Sequence, residues 1–162
     1  MSNECTEWRL NGCTDTEPLH YNWCGLDDVY LRSGYQRIPT DDGDDVVIQN
    51  MDGLHRAIGE WLALHKKTLN GKEVRFLRHE MDVSQKDMGK ILRVTDQTIA
   101  RWEKGEIMIP GPEELLLRLT YIAFLHGHVD PRAVAEQLAE VDDNASPRQV
   151  FAETADGWKI AA

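Results

Sequence analysis

Three cysteines in 162 residues, with no pair at C-x-x-C spacing, leave the chain without the elements of common zinc sites. Cys5, Cys13, His20 and Cys24 supply four nominal ligands, but spacings of eight, seven and four residues match no such site. No metal is expected. Cys24 reads as a small buried apolar residue, and the other two as free cytosolic thiols. Long apolar runs are missing too: none approaches about 18 residues, and no charged-then-apolar start suggests export. The expectation is a soluble cytoplasmic protein with no membrane partner. There is no nucleophile–base pair, phosphate-cradling glycine loop or H-E-x-x-H element, which argues against an enzyme and implies no cofactor. The acid run Asp41, Asp42, Asp44 and Asp45 lacks the ligand order and the bidentate Glu of a calcium loop. It reads as a solvated hairpin tip. His126 and His128 flank Gly127 at a helix end, where capping suits them better than metal ligation.

Positive charge is the other scarcity. Eighteen Lys and Arg stand against 28 Asp and Glu, a net charge of −10, which argues at first against a polyanionic partner. The distribution reverses that impression. Residues 1–69 carry net −6 and residues 105–162 net −6, while residues 70–104 hold eight bases against six acids, net +2. An acidic frame around a mildly basic segment weakens non-specific phosphate binding, so selectivity would rest on base contacts and dimerisation. With 41% hydrophobic residues the chain can bury a core, and its length suits one ordinary domain or two small ones.

The basic segment lies within Leu69–Pro112, where three short helical patterns follow one another. Gly71 to Glu80 places Val74, Phe76 and Leu77 on an apolar face, with Lys72, Arg75 and Arg78 outside it. Ser84 offers an N-cap oxygen to a second helix with Met88, Ile91 and Leu92 as its stripe. After the tight Leu92-Arg93-Val94 connection, Thr95 caps a third helix and Asp96 suits its positive end. Ile99 and Trp102 face inward there, and Gly105 ends the helix. Trp102 is expected in the core, and Glu103 as a structural hydrogen-bonding partner. Asp96, Gln97, Thr98 and Arg101 are left pointing outward from the N-terminal half, as base-reading candidates. Two short helices joined by such a turn form a helix-turn-helix, and the residue types fit the major groove. Gln97 can pair with adenine N6 and N7, Arg101 with guanine O6 and N7, and Thr98 with a thymine methyl or an acceptor edge. Ser84, Gln85, Lys86, Arg93 and Lys104 are the candidates for the DNA backbone, where they would position rather than specify.

The run R-x-x-x-M-D-V-S-Q-K-D-M-G-x-x-L-x-V-x-x-x-T-I-x-R-W-E-x-G resembles the lambda-repressor-like (XRE) helix-turn-helix family. The Ser-Gln opening, the Ile-x-x-Trp-Glu-x-Gly ending and a proline five residues after that glycine carry the resemblance together. It implies a five-helix domain, with a fourth helix at about Pro112 to Phe124, and a homodimer on an inverted repeat of double-stranded DNA. Two positions depart from the pattern. Gly89 stands where the family usually has alanine, a change expected to be harmless. Arg93 stands where it usually has glycine, so a left-handed backbone would carry a side chain at a cost of about 1 kcal/mol.

The flanks are less regular. Residues 1–50 read as a polar N-terminus and a small β unit, in which Val29, Leu31 and Ser33 alternate and Asp45 to Gln49 forms a second, antiparallel strand. Trp23, Tyr30, Tyr35 and Val46 to Ile48 are the residues expected to stabilise it. Residues 51–68 read as a linking helix, capped by Asp52, with Leu54, Ile58, Trp61, Leu62 and Leu64 as its stripe. Residues 69–126 form the helix-turn-helix domain. Its last helix, Glu113 to Phe124, carries Leu115, Leu116, Leu117, Leu119, Tyr121, Ile122 and Phe124, too many for one face. Either it adds to a dimer interface, or the C-terminal part of the chain covers it. Residues 127–162 hold an amphipathic helix over Asp130 to Val141 and a hairpin around Asp156-Gly157. Alone that hairpin would be marginal, so it should dock on strands of its own or of a partner chain.

A β unit, a linking helix and an XRE domain in this order resemble regulator-antitoxins of the MqsA/HigA kind, without their paired zinc cysteines. That resemblance implies a protein toxin as a possible partner. The expected fold class is α+β, mainly α: a five-helix XRE-type helix-turn-helix domain with a small N-terminal antiparallel β unit and a C-terminal helix plus hairpin. The expected function is a homodimeric, sequence-specific transcriptional regulator that represses by occupying a promoter, with an antitoxin that neutralises a toxin and autoregulates its operon as the alternative.

Overall fold

The computed structural model describes residues 17–142 and 148–161. These contain six helices and six strands, and fall into two compact units drawn from Met1–Ala57 with Ser146–Ala162, and from Ile58–Ala145.

In the first unit, β1 (Leu19–His20), β2 (Val29–Leu31), β5 (Gln149–Thr154) and β6 (Gly157–Ile160) form one sheet in the order β1-β2-β5-β6. β2 and β5 run parallel, with Tyr30 opposite Val150, and the other two pairs are antiparallel. A second, two-stranded ribbon joins β3 (Tyr35–Thr40) to β4 (Gly43–Ile48). The C-terminal hairpin thus docks on a strand of its own chain, which supplies the third and fourth strands that a lone hairpin needs. Buried Tyr21, Leu26, Val29, Leu31, Tyr35, Ile48, Leu54, Phe151 and Trp158 make up the core. Trp158 ties the hairpin to the ribbon's end: its Nε1 donates to the carbonyls of Gln49 and Asn50 at 3.0 and 3.1 Å. Its ring lies where a Cβ on Gly34 would stand, and Gly34 also has φ +79°, so two constraints select glycine there. Glu153 is buried beside it without an ion-pair or hydrogen-bond partner for its carboxylate among the described residues, and desolvation pushes its carboxyl above the usual range.

The strand pairing differs from the expected one. Val29–Leu31 does not pair with the Asp45–Gln49 run, whose partner is Tyr35–Thr40. Gly34 breaks the chain after Ser33, and Pro39 and the polar residues around it mask β3, which tolerates proline because it lies at a ribbon edge. The turn is also shorter than expected. Asp41 and Asp42 form the exposed tip, while Asp44 and Asp45 belong to β4. Trp23, expected to stabilise this unit, is 60% exposed. Cys24 is half-buried, with its thiol 3.8 Å from the Tyr21 carbonyl, whereas Cys5 and Cys13 lie outside the described residues.

Helix α1 (Met51–His65) starts from Asn50, not from Asp52: the Asn50 side chain accepts the Gly53 N–H, and Asp52 sits in the first turn. In the second unit Ile58 and Leu62 of α1 are buried, with Trp61 and Leu64 half-buried. There follow α2 (Gly71–Glu80), α3 (Gln85–Leu92), α4 (Asp96–Glu103), α5 (Gly111–His126) and α6 (Pro131–Ala139). Residues 69–126 therefore hold four helices, α2 to α5, rather than five, with α1 before them and α6 after them in the chain. Leu77, Met88, Ile99, Trp102, Leu117 and Tyr121 form the centre of this unit's core. Gly59 brings α1 against the Tyr121 ring, where no Cβ would fit. Of the long apolar set on α5, Leu117, Tyr121 and Ile122 are buried, while Leu116 and Phe124 stay 38% and 55% exposed. His126 contacts Glu60 at 2.9 Å, and Gly127, at φ +78°, closes α5.

Arg118 is fully buried on α5. Its guanidinium donates to Glu114 Oε1 through Nε and Nη2, and to the carbonyls of Leu62, Ala63 and Lys67. Those carbonyls belong to the C-terminal end of α1 and the chain just beyond it, where helical partners run out. One cation thus satisfies them and fixes α1 to α5.

Candidate nucleic-acid interface

Local chemistry sets each helix start around the turn. Asn70 and Glu73 form a reciprocal capping box on α2, Ser84 accepts the Asp87 N–H on α3, and Thr95 accepts the Thr98 N–H on α4. Between α3 and α4, Arg93 adopts φ 61°, ψ 37°, and its N–H returns to the Gly89 carbonyl. The expected left-handed arginine is present. Gly89 is more than a tolerated substitute for alanine, because a Cβ there would stand 2.7 Å from the Val94 carbonyl oxygen. The turn is closed tightly enough that only glycine fits it undisturbed. Arg93→Gly should raise the melting temperature, by the equivalent of about 1 kcal/mol, since it removes the left-handed strain from an exposed side chain. An unchanged or lower melting temperature would show that the arginine side chain contributes more than its strain costs.

Beneath the turn lies a buried ionic cluster. Arg78 donates from Nε to Glu103 Oε1 at 2.5 Å, from Nη2 to Oε2 at 3.1 Å and from Nη1 to the Val83 carbonyl at 2.9 Å, and Gln85 Nε2 donates to Glu103 Oε2 at 2.9 Å. These bonds tie α2, the start of α3 and the end of α4 into one frame. Burial alone would raise the Glu103 carboxyl, but the hydrogen bonds from Arg78 and Gln85 and the Arg78 charge outweigh it and hold the carboxyl below its usual range. Arg78 was expected outside the apolar face of α2, yet it is buried, because its partner comes from α4, 25 residues away.

The candidate base-reading residues differ in freedom. Gln97 and Arg101 are exposed on α4, and the Gln97 side chain makes no hydrogen bond among the described residues. Asp96 is exposed, with Oδ1 accepting the Gln97 N–H at 2.9 Å. Thr98 is half-buried, and its hydroxyl meets that of Thr95 at 3.0 Å. Among the backbone candidates, Lys86, Arg93 and Lys104 are exposed without an ion pair among the described residues. Ser84 is occupied as a cap, donating to Asp87 Oδ2, and Gln85 is turned inward onto Glu103. An open cleft of about 430 Å³ at the turn is lined by Gly89, Lys90, Arg93, Val94 and Thr95. Two of its five residues are cationic, and it adjoins the N-terminus of α4. Glu106, just past α4, was not singled out from the sequence: its Oε2 lies 3.4 Å from Arg101 Nε.

No group of three or more His, Cys, Asp or Glu side chains among the described residues could hold a metal ion. None of the described helices is long and apolar enough to cross a membrane. No curated protein and no solved structure matches the chain. Residues 74–117 match the family model HTH_3, described as helix-turn-helix, a span that runs from α2 into α5 and includes the turn and every candidate base-reading residue. The match and the capped α3–turn–α4 geometry agree: this span carries a helix-turn-helix, which supports a DNA-binding, regulatory role.

Proposed function

We propose that the protein is a sequence-specific transcriptional regulator that binds an inverted repeat as a homodimer and represses by occupying a promoter. The observation that carries this reading is α4 itself. Its buried side, Ile99 and Trp102, locks it to the domain, while Gln97 and Arg101 extend from the opposite side with the two side-chain types best suited to adenine and guanine edges. Lys86, Arg93 and Lys104 stand around it as phosphate contacts. The net −10 charge of the chain supports selective over non-specific binding, since few cations are available to displace counterions. Leu116 and Phe124, eight residues apart on one side of α5 and both exposed, support self-association.

Binding-site selection from random duplexes tests the reading. It should enrich an inverted repeat whose half-site centres lie about 34 Å apart, one turn of the duplex. Loss of all binding at modest salt with no enriched sequence would contradict it. A second reading is favoured by the exposed Trp23 and Val47 of the first unit, at 60% and 43%. In it the chain is an antitoxin that holds a protein toxin through its first unit and represses its own operon. A stable heterocomplex with the product of an adjacent gene supports this reading, and failure of the two to associate on co-expression opposes it.

A further inference from the structure

We infer that Glu106 is a positioning residue for DNA reading, which holds Arg101 by its Nε edge so that the Nη1/Nη2 end is presented to a guanine. The inference rests on the proposed function and deepens it. Gly105, at φ +73°, follows the end of α4, and this left-handed residue lets two N–H groups turn back on the helix: Gly105 N–H to the Trp102 carbonyl and Glu106 N–H to the Arg101 carbonyl, both at 3.0 Å. That pattern satisfies two carbonyls left over at the helix end and brings Glu106 back beside Arg101. The carboxylate's approach is to Nε, at 3.4 Å, and both side chains are about half exposed, 56% and 50%. No other partner for the Arg101 guanidinium occurs among the described residues. Neither terminal nitrogen of Arg101 makes a hydrogen bond among the described residues, and a guanine presents O6 and N7 as two acceptors for such a fork.

A mobile arginine spends conformational entropy when it binds a base, and a carboxylate that limits its rotamers beforehand reduces that cost. Glu106 also repels phosphate. As a simple charge near DNA, its neutralisation would tighten binding. The two roles thus predict opposite signs.

The experiment measures the affinity of four full-length proteins, wild type, Glu106→Gln, Arg101→Ala and the double variant, for the duplex that the wild type selects and for duplexes with the guanine replaced. Melting temperatures are recorded in parallel. Glu106→Gln should weaken binding to the selected duplex by about two- to fivefold per half-site, the range typical of an exposed ion pair. It should also lower discrimination at the guanine, at an unchanged melting temperature. In the Arg101→Ala background the same change should leave affinity unchanged or slightly raise it. Tighter or equal binding by Glu106→Gln with discrimination intact would overturn the inference and leave the proposed function standing. A wild type that selects no duplex would overturn both.

Discussion

Glu103→Ala should destabilise the helix-turn-helix domain by about 3–5 kcal/mol, because it strands the buried Arg78 guanidinium and leaves the Gln85 amide without its acceptor. In a unit of this size that corresponds to a fall in melting temperature on the order of 15 °C or more. Both side chains are nearly sealed from water, 11% exposed for Arg78 and 5% for Glu103, so solvent cannot compensate the lost partner. The contrast with a paired replacement makes the prediction specific. Arg78→Met with Glu103→Met removes both charges and should be less damaging than Glu103→Ala alone. The same carboxylate gives the domain an acid-sensitive component. Its folded pKa is depressed, so its stabilisation is complete above the unfolded value near 4.5 and is lost as pH falls through the folded value. Stability measured between neutral pH and strong acid should therefore fall less steeply in the double methionine variant than in the wild type.

The second large effect is expected at Arg118. Arg118→Met removes the donors to Glu114 and to the carbonyls of Leu62, Ala63 and Lys67 while keeping much of the side-chain volume. The cost is again about 3–5 kcal/mol, because buried acceptors and a carboxylate lose their partner together. Arg118→Lys should recover only part of it. An ammonium is a point donor, whereas the planar fork reaches partners on both sides at once. Calorimetry or denaturant titration of the second unit's unfolding measures both. A loss under about 1 kcal/mol for Arg118→Met would show that water replaces the bonds.

The two residues differ in how far the sequence foretold them. Glu103 was expected as a structural hydrogen-bonding partner, but its partner Arg78 was not, since periodicity on α2 counts apolar positions and cannot see a carboxylate 25 residues away. Arg118 sits inside an apolar run and is hidden from periodicity for the same reason: its carbonyl acceptors are more than 50 residues distant. What local chemistry controls was legible. Ser84 and Thr95 as caps, Ile99 and Trp102 as the buried side of α4, and the left-handed Arg93 all follow from interactions within a few residues. The Asn70-x-x-Glu73 capping box was equally local, and that pattern could have been read. The first unit was less legible. Its central pairing joins β2 to β5 across more than a hundred residues, and no local pattern encodes a partner at that range. At the candidate interface, the outward placement of Gln97 and Arg101 was visible from helical spacing, whereas the inward turn of Gln85 and the Glu106–Arg101 contact depend on how helix ends are closed.

The central claim is that α4 reads base edges. The most direct test is binding-site selection by Arg101→Ala beside the wild type, each at several salt concentrations. The wild type should enrich an inverted repeat, and the variant should lose its preference at one guanine per half-site, worth about 1–3 kcal/mol of discrimination. The salt dependence should change little, because a base contact releases few counterions. A variant that selects the same sequence as the wild type, or that loses affinity equally for every duplex, would contradict it.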